Sequence, residues 1–134
     1  VVQQALAGIR ILDLTSVVVG PSCTLRLADH GAEVIKLEAP EGDVLRTLGG
    51  PSPSGQHSGK YLAFNRNKRA ICLDLKQPAA RTIRPTIPRD GVPADPGHPA
   101  RPIGYDTRAV LGEAGYNAAE IDALIASGAA RASS

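Results

Sequence analysis

Hydrophobic positions fall into short runs along the first eighty residues. Residues 9–15, Ile-Arg-Ile-Leu-Asp-Leu-Thr, lie between Gly8 and a turn-prone Thr-Ser pair. That run predicts a strand buried on both faces. After Gly20-Pro21, the residues Cys23, Leu27 and Ala28 recur at helical spacing and Gly31 stands at the end. Proline suits a first helical position and glycine a left-handed cap, so a helix is predicted between them, with Cys23 on its apolar face. Residues 33–38, Glu-Val-Ile-Lys-Leu-Glu, predict a second strand. Strand, helix and strand in this order make a βαβ unit with parallel strands and a right-handed crossover.

Residues 39–60 are rich in Pro, Gly and Ser and read as one long loop, followed by a mixed aromatic and basic turn over 61–69. Ala70–Leu75 predicts a third strand, and Lys76–Ala80 the opening of a helix with Pro78 near its start. Pro85, Pro88, Pro93, Pro96, Pro99 and Pro102 then rule out a helix interior or a central strand and predict an extended linker. Helical patterning returns with Val110, Leu111 and Ala114, which Asp106 or Thr107 can cap and Gly115 can stop. Asn117 stands three residues before Glu120, a capping-box spacing ahead of Ile121, Leu124 and Ile125, and Gly128 ends that helix. The last residues are expected to fray.

The fold class is therefore α/β, a Rossmann-like parallel sheet of about three strands with a Pro-rich linker and two short C-terminal helices. Three segments follow: 1–80, the linker 81–103 and 104–134. One crossover helix leaves a sheet face bare, so the C-terminal helices or a partner chain must cover it.

Composition narrows the partners. The chain has 134 residues, 15 Lys and Arg against 13 Asp and Glu, and 3% aromatic residues. So balanced a charge argues against nucleic acid held through phosphates, and so few rings argue against base stacking. No charged n-region with a long apolar run and no membrane-length apolar window occurs, so the default location is cytoplasmic with no membrane partner. Cys23 and Cys72 form no metal-ligand spacing and read as reduced, buried small hydrophobes, and no metal is expected.

Several motifs fail on inspection. Gly59-Lys60 is followed by Tyr61 and preceded at the required distance by Ser54, so the phosphate-cradling P-loop pattern is absent. The Thr15–Pro21 turn lacks the dinucleotide glycines, and Ser22 is not in a nucleophile elbow. His30, His57 and His98 have no spaced partners and read as solvated surface residues. Arg66, Lys68 and Arg69, followed by Leu73-Asp74-Leu75-Lys76, place cations near the carboxyl end of a predicted parallel strand. Ligands of open α/β sheets bind at that edge, and phosphates would gain charge-assisted hydrogen bonds there; a solvated basic turn is the other reading.

Four segments carry a family resemblance. Leu6–Thr15 with Gly20–Thr24, Leu27–Glu38, Gly42-Asp43 with Arg46, and Phe64–Arg69 with Leu73–Lys76 resemble, in order and spacing, the N-terminal end of family III CoA-transferases, the CaiB/BaiF group. Residues 104–128 resemble that family's C-terminal end. The resemblance implies a Rossmann-like fold, interlocked dimers, and transfer of CoA from an acyl-CoA to a carboxylic acid. An aspartate attacks the thioester to give a mixed anhydride. The released thiolate converts it to an aspartyl-CoA thioester, and the acceptor carboxylate completes the exchange. Coenzyme A is thus the implied ligand. Arg66, Lys68 and Arg69 are implied to meet its phosphates, and Leu73, Asp74, Leu75 and Lys76 match a CoA-binding segment. Val18 stands where some members place Gln, and Ala39 where some place a basic residue. The nucleophilic aspartate belongs to a central region with no counterpart here, and Asp90, Asp95 and Asp106 lie outside its context. The resemblance thus implies the two ends of a CoA-transferase without the middle and no CoA transfer by this chain alone. A non-catalytic CoA-binding or dimerisation module is the alternative, with a possible homodimer. The α-methylacyl-CoA racemase branch is a further one, which the long stretch from Tyr61 to Asn65 disfavours.

Overall fold

A computed structural model describes residues 4–50, 57–81 and 101–133. Most of the proline-rich linker lies outside the described residues. The βαβ unit is present: β1 (Arg10–Asp13), α1 (Val19–Asp29) and β2 (Glu33–Glu38). A 3-10 turn (Val44–Arg46), α2 (Gly59–Asn65), β3 (Lys68–Leu73) and α3 (Pro78–Arg81) follow. Then come α4 (Thr107–Glu113), α5 (Ala118–Ala126) and β4 (Ala130–Arg131). The four strands form one mixed α/β sheet in the order β1-β2-β3-β4, with the first two pairings parallel and the last antiparallel.

The register divides the side chains between two faces. Arg10 pairs with Glu33, Val34 with Lys68 and Glu38 with Cys72. Alternation then puts Ile11, Asp13, Val34, Lys36, Glu38, Lys68 and Cys72 on one face and Leu12, Ile35, Leu37, Arg69, Ile71 and Leu73 on the other. On the first face α1 packs through Ala28 against Val34 and Ile11. On the second, Ile35, Ile71 and Leu73 are buried with Leu111, Ile121 and Leu124. The C-terminal helices therefore cover the face that the crossover helix leaves bare. The capping box forms at α5, where Asn117 accepts the Glu120 amide and Glu120 accepts that of Asn117.

Several expectations are corrected. β1 is not buried on both faces: Ile9 is 50% and Leu12 42% exposed, because β1 is an edge strand, touched by α4 through the Arg10–Glu113 ion pair at 3.5 Å and not packed under its apolar face. Residues 59–65 are a helix, not a turn: Ser58 accepts the Tyr61 amide, and Tyr61 and Asn65 point inward. Their polar atoms hide the helical stripe from a hydrophobic reading. β3 starts two residues earlier than predicted because Lys68 and Arg69 both find carboxylate partners. The C-terminal residues do not all fray; 130–131 pair with β3. Cys23 is exposed, since the buried stripe of α1 is Pro21, Thr24, Leu25 and Ala28, one residue round from the expected one. Thr24 can face inward because its hydroxyl donates to Asp13 Oδ2 at 2.6 Å. His57 is buried and not solvated, with Nδ1 2.9 Å from an Arg46 guanidinium nitrogen. His98 lies outside the described residues. No helix among the described residues is long and apolar enough to cross a membrane.

Candidate functional site

A cleft of about 450 Å3 opens at the carboxyl ends of the three parallel strands. Each strand contributes the residues at its end. Leu14, Thr15 and Ser16 follow β1; Leu37, Glu38 and Ala39 close β2; Leu73, Asp74, Leu75 and Lys76 close β3. This is the edge at which open α/β sheets bind ligands. Four leucines, at 14, 37, 73 and 75, line the cleft with apolar surface. Leu75 is 43% exposed and Lys76 is exposed beside it.

The polar groups beneath the cleft are held by partners. Lys36 Nζ lies 3.0 Å from Asp43 Oδ2 and donates to the Thr15 carbonyl at 2.8 Å. Glu38 accepts from the Arg46 guanidinium at 2.6 and 2.9 Å and from the Tyr61 hydroxyl at 2.8 Å. Burial alone would raise the Glu38 carboxyl, but Arg46 and the other donors outweigh it and hold the group below the ordinary range. Burial, followed by the charge of Glu38, pushes the Tyr61 phenol far above its usual value, so Tyr61 serves as a fixed hydrogen-bond donor. The Asp74 carboxylate accepts the Lys76 amide at 3.0 Å, and the Asp74 amide donates to the Ala129 carbonyl at 2.8 Å. The turn carrying Leu75 and Lys76 is thereby tied to the C-terminal segment.

The structure separates the residues singled out in the sequence. Ala39, Leu73, Asp74, Leu75 and Lys76 line the cleft. The basic cluster does not: Lys68 and Arg69 begin β3, at the opposite end of the strand, so their expected place near a carboxyl end is corrected. Arg66 is on the surface, bonded to both Asp29 carboxylate oxygens at 2.5 and 2.8 Å. Lys68 is 1% exposed and donates to Asp13, Thr24, Asn65 and the Pro21 carbonyl. Arg69 is paired with Glu33 and Glu113. Val18 is exposed at the N-cap of α1, next to the turn that walls the cleft. Leu14, Thr15, Ser16, Lys36 and Asp43 line the cleft but were not among the expected site residues. All but Ser16 lie in segments that carry the family resemblance, and the strand ends mark their position.

Comparison with known proteins places this geometry. The model of CoA-transferase family III matches residues 6–85. A human succinyl-CoA:glutarate CoA-transferase is 51% identical over 74 residues, covering 54% of this chain and 17% of the relative. A formyl-CoA:oxalate CoA-transferase of Afipia carboxidovorans is 44% identical over 81 residues, covering 60% of this chain and 19% of the relative. The chain thus spans about a fifth of the length of these curated relatives. Among solved structures, a CaiB/BaiF family protein from Brucella suis shares the fold over 91% of this chain and 31% of its own, with TM-score 0.53 and 24% identity. Rv3272 from Mycobacterium tuberculosis matches at TM-score 0.51 and 38% identity, over 58% of this chain and 20% of its own. A strand-edge cleft built from the matched segment, and a match over more than half the chain, make this chain a member of CoA-transferase family III.

Proposed function

We propose that this chain supplies the CoA-holding part of a site that transfers CoA between an acyl-CoA and a carboxylic acid. The observation that carries the reading is the cleft itself. It is lined by four leucines and by an exposed cation, Lys76, and it is built from the segment that matches the family. A leucine-lined channel suits the pantetheine arm of CoA, and Lys76 suits a phosphate through a charge-assisted hydrogen bond. Relatives named for succinyl-CoA with glutarate and for formyl-CoA with oxalate support small carboxylic acids as the acceptor class.

The chain's own carboxylates on the cleft do not serve as the attacking group. Glu38 is enclosed by Arg46 and Tyr61, Asp43 is paired with Lys36, and Asp74 caps its own turn. Covalent exchange needs a carboxylate free to reach the thioester carbon. The chain alone therefore binds CoA and does not turn it over.

Calorimetry with CoA tests the first half, and an assay with succinyl-CoA and glutarate tests the second. Binding with no transfer is the expected result. Absence of heat at millimolar CoA overturns the binding reading. Transfer that disappears in Asp74→Asn overturns the assignment of that carboxylate to the turn.

A further inference from the structure

Lys36 lies in the cleft wall, yet its charge is spent inside the protein. The Lys36 and Asp43 side chains are 1% and 0% exposed, and their 3.0 Å ion pair spans the base of the turn that follows β1. Lys36 holds that turn by its Thr15 carbonyl at 2.8 Å. Asp43 holds it by the Val17 amide, at 3.3 and 3.4 Å from its two carboxylate oxygens. Asp43 is itself fixed, since Oδ1 accepts the Leu45 amide at 2.9 Å and its own amide donates to Glu38 at 2.8 Å. At the second of these grips Val17 has φ 67°. A β-branched residue does not adopt that left-handed backbone without being held there. On the helix side, a Cβ on Gly20 would lie 2.3 Å from Thr15 Cβ, so α1 closes directly on the same turn. Thr15 and Ser16 are the wall that the turn presents to the cleft.

We propose, resting on the CoA reading above, that the Lys36–Asp43 ion pair is a positioning device for the ligand and not a phosphate contact. It grips a strained turn at both ends and gives the β1 wall of the cleft one shape before ligand arrives. Preorganisation of this kind appears as affinity for whatever part of the ligand touches the wall. A phosphate contact would appear only with ligands that carry phosphate.

The test uses the full chain, with CoA and with pantetheine, which has no phosphate, measured by calorimetry below the melting temperature. Asp43→Asn is expected to weaken both ligands by the same factor, on the order of tenfold. In a Val17→Gly background, where the left-handed backbone is free of strain, the same substitution is expected to cost less than about threefold. If Asp43→Asn does not fold, Lys36→Met/Asp43→Leu buries no unpaired charge and is expected to show the same equal loss. A loss confined to CoA makes Lys36 a phosphate ligand and overturns the proposal. So does an undiminished loss in the Val17→Gly background. Unchanged binding of both ligands overturns the proposal and leaves the CoA reading standing. A wild-type chain that binds neither ligand overturns both.

Discussion

The Asp106 carboxylate accepts the backbone amide of Ala70 at 2.9 Å, while the Asp106 amide donates to the Ala70 carbonyl at 3.0 Å. Asp106 thus serves the edge of β3 and makes no side-chain cap for its own helix. Thr107 continues the pattern, its hydroxyl accepting the Cys72 amide at 3.0 Å. Two residues at the start of α4 thus accept the amides of Ala70, which lies beyond the β4 pairing, and of Cys72, which stands opposite Arg131. Asp106→Ala leaves the buried Ala70 amide without its acceptor and removes one of the partners of Arg101, which lies 2.6 Å away. A loss of about 1–3 kcal/mol is expected in chemical denaturation. A change below about 0.5 kcal/mol would contradict the edge-capping role.

Lys68 is expected to matter for stability and not for CoA. Its ammonium is buried against Asp13 at 3.1 Å, and burial lowers its basicity even against the pull of that carboxylate. Lys68→Met strands Asp13 in the interior, which costs about 3–5 kcal/mol. Lys76→Glu should leave the melting temperature within a degree or two and weaken CoA, with a flatter dependence on salt. A Lys76→Glu chain that binds CoA as the wild type does would remove this lysine from the ligand.

Acid should unfold the chain chiefly through its two buried carboxyls with lowered values, with smaller shares from Asp29 and Glu113 nearer the surface. Burial raises those of Asp13 and Glu38, but hydrogen bonds and cations overcome it and hold both below their ordinary values of 3.8 and 4.5. A carboxyl with a lowered folded value stabilises the fold above its unfolded value, and that share is lost as pH falls through the folded one. Melting temperature should therefore drop as pH goes below about 4.5, and Glu38→Gln should flatten part of the drop while lowering the neutral plateau. A level melting curve between pH 6 and 3 would show that these groups are not paired as described.

The two thiols should behave differently. Cys23 is exposed, whereas Cys72 is buried and burial pushes its thiol up to about 11. Attack requires a thiolate and access, so a thiol reagent should titrate one group in the native chain and two in denaturant. Equal native rates for the two would place Cys72 at the surface.

Local chemistry was legible in the sequence, and distant pairing was not. β2 follows its predicted bounds, and Asn117 with Glu120 forms the capping box that a three-residue spacing announces. Lys68 read as a phosphate-meeting cation or part of a solvated turn, and not as a buried ion, because its partner, Asp13, is 55 positions away in the chain. α2 was missed because Tyr61 and Asn65 face inward as polar residues, their needs met by Glu38, Arg46 and Lys68. β4 has two residues and no pattern of its own; it exists because β3 offers an edge. In the cleft, Ala39 and Leu73–Lys76 came from the family resemblance. Thr15, Lys36 and Asp43 needed the strand register, which brings three chain segments to one rim.

The short antiparallel strand gives the sheet a direction of growth. Arg131 and Ala130, with Asp106 and Thr107 beside them, cover the free edge of β3. Among the described residues nothing pairs with the outer edge of β1, and Ile9, Leu12 and Leu14 are exposed along it. A strand added at β1 would lie next to the turn that Asp43 and Lys36 hold.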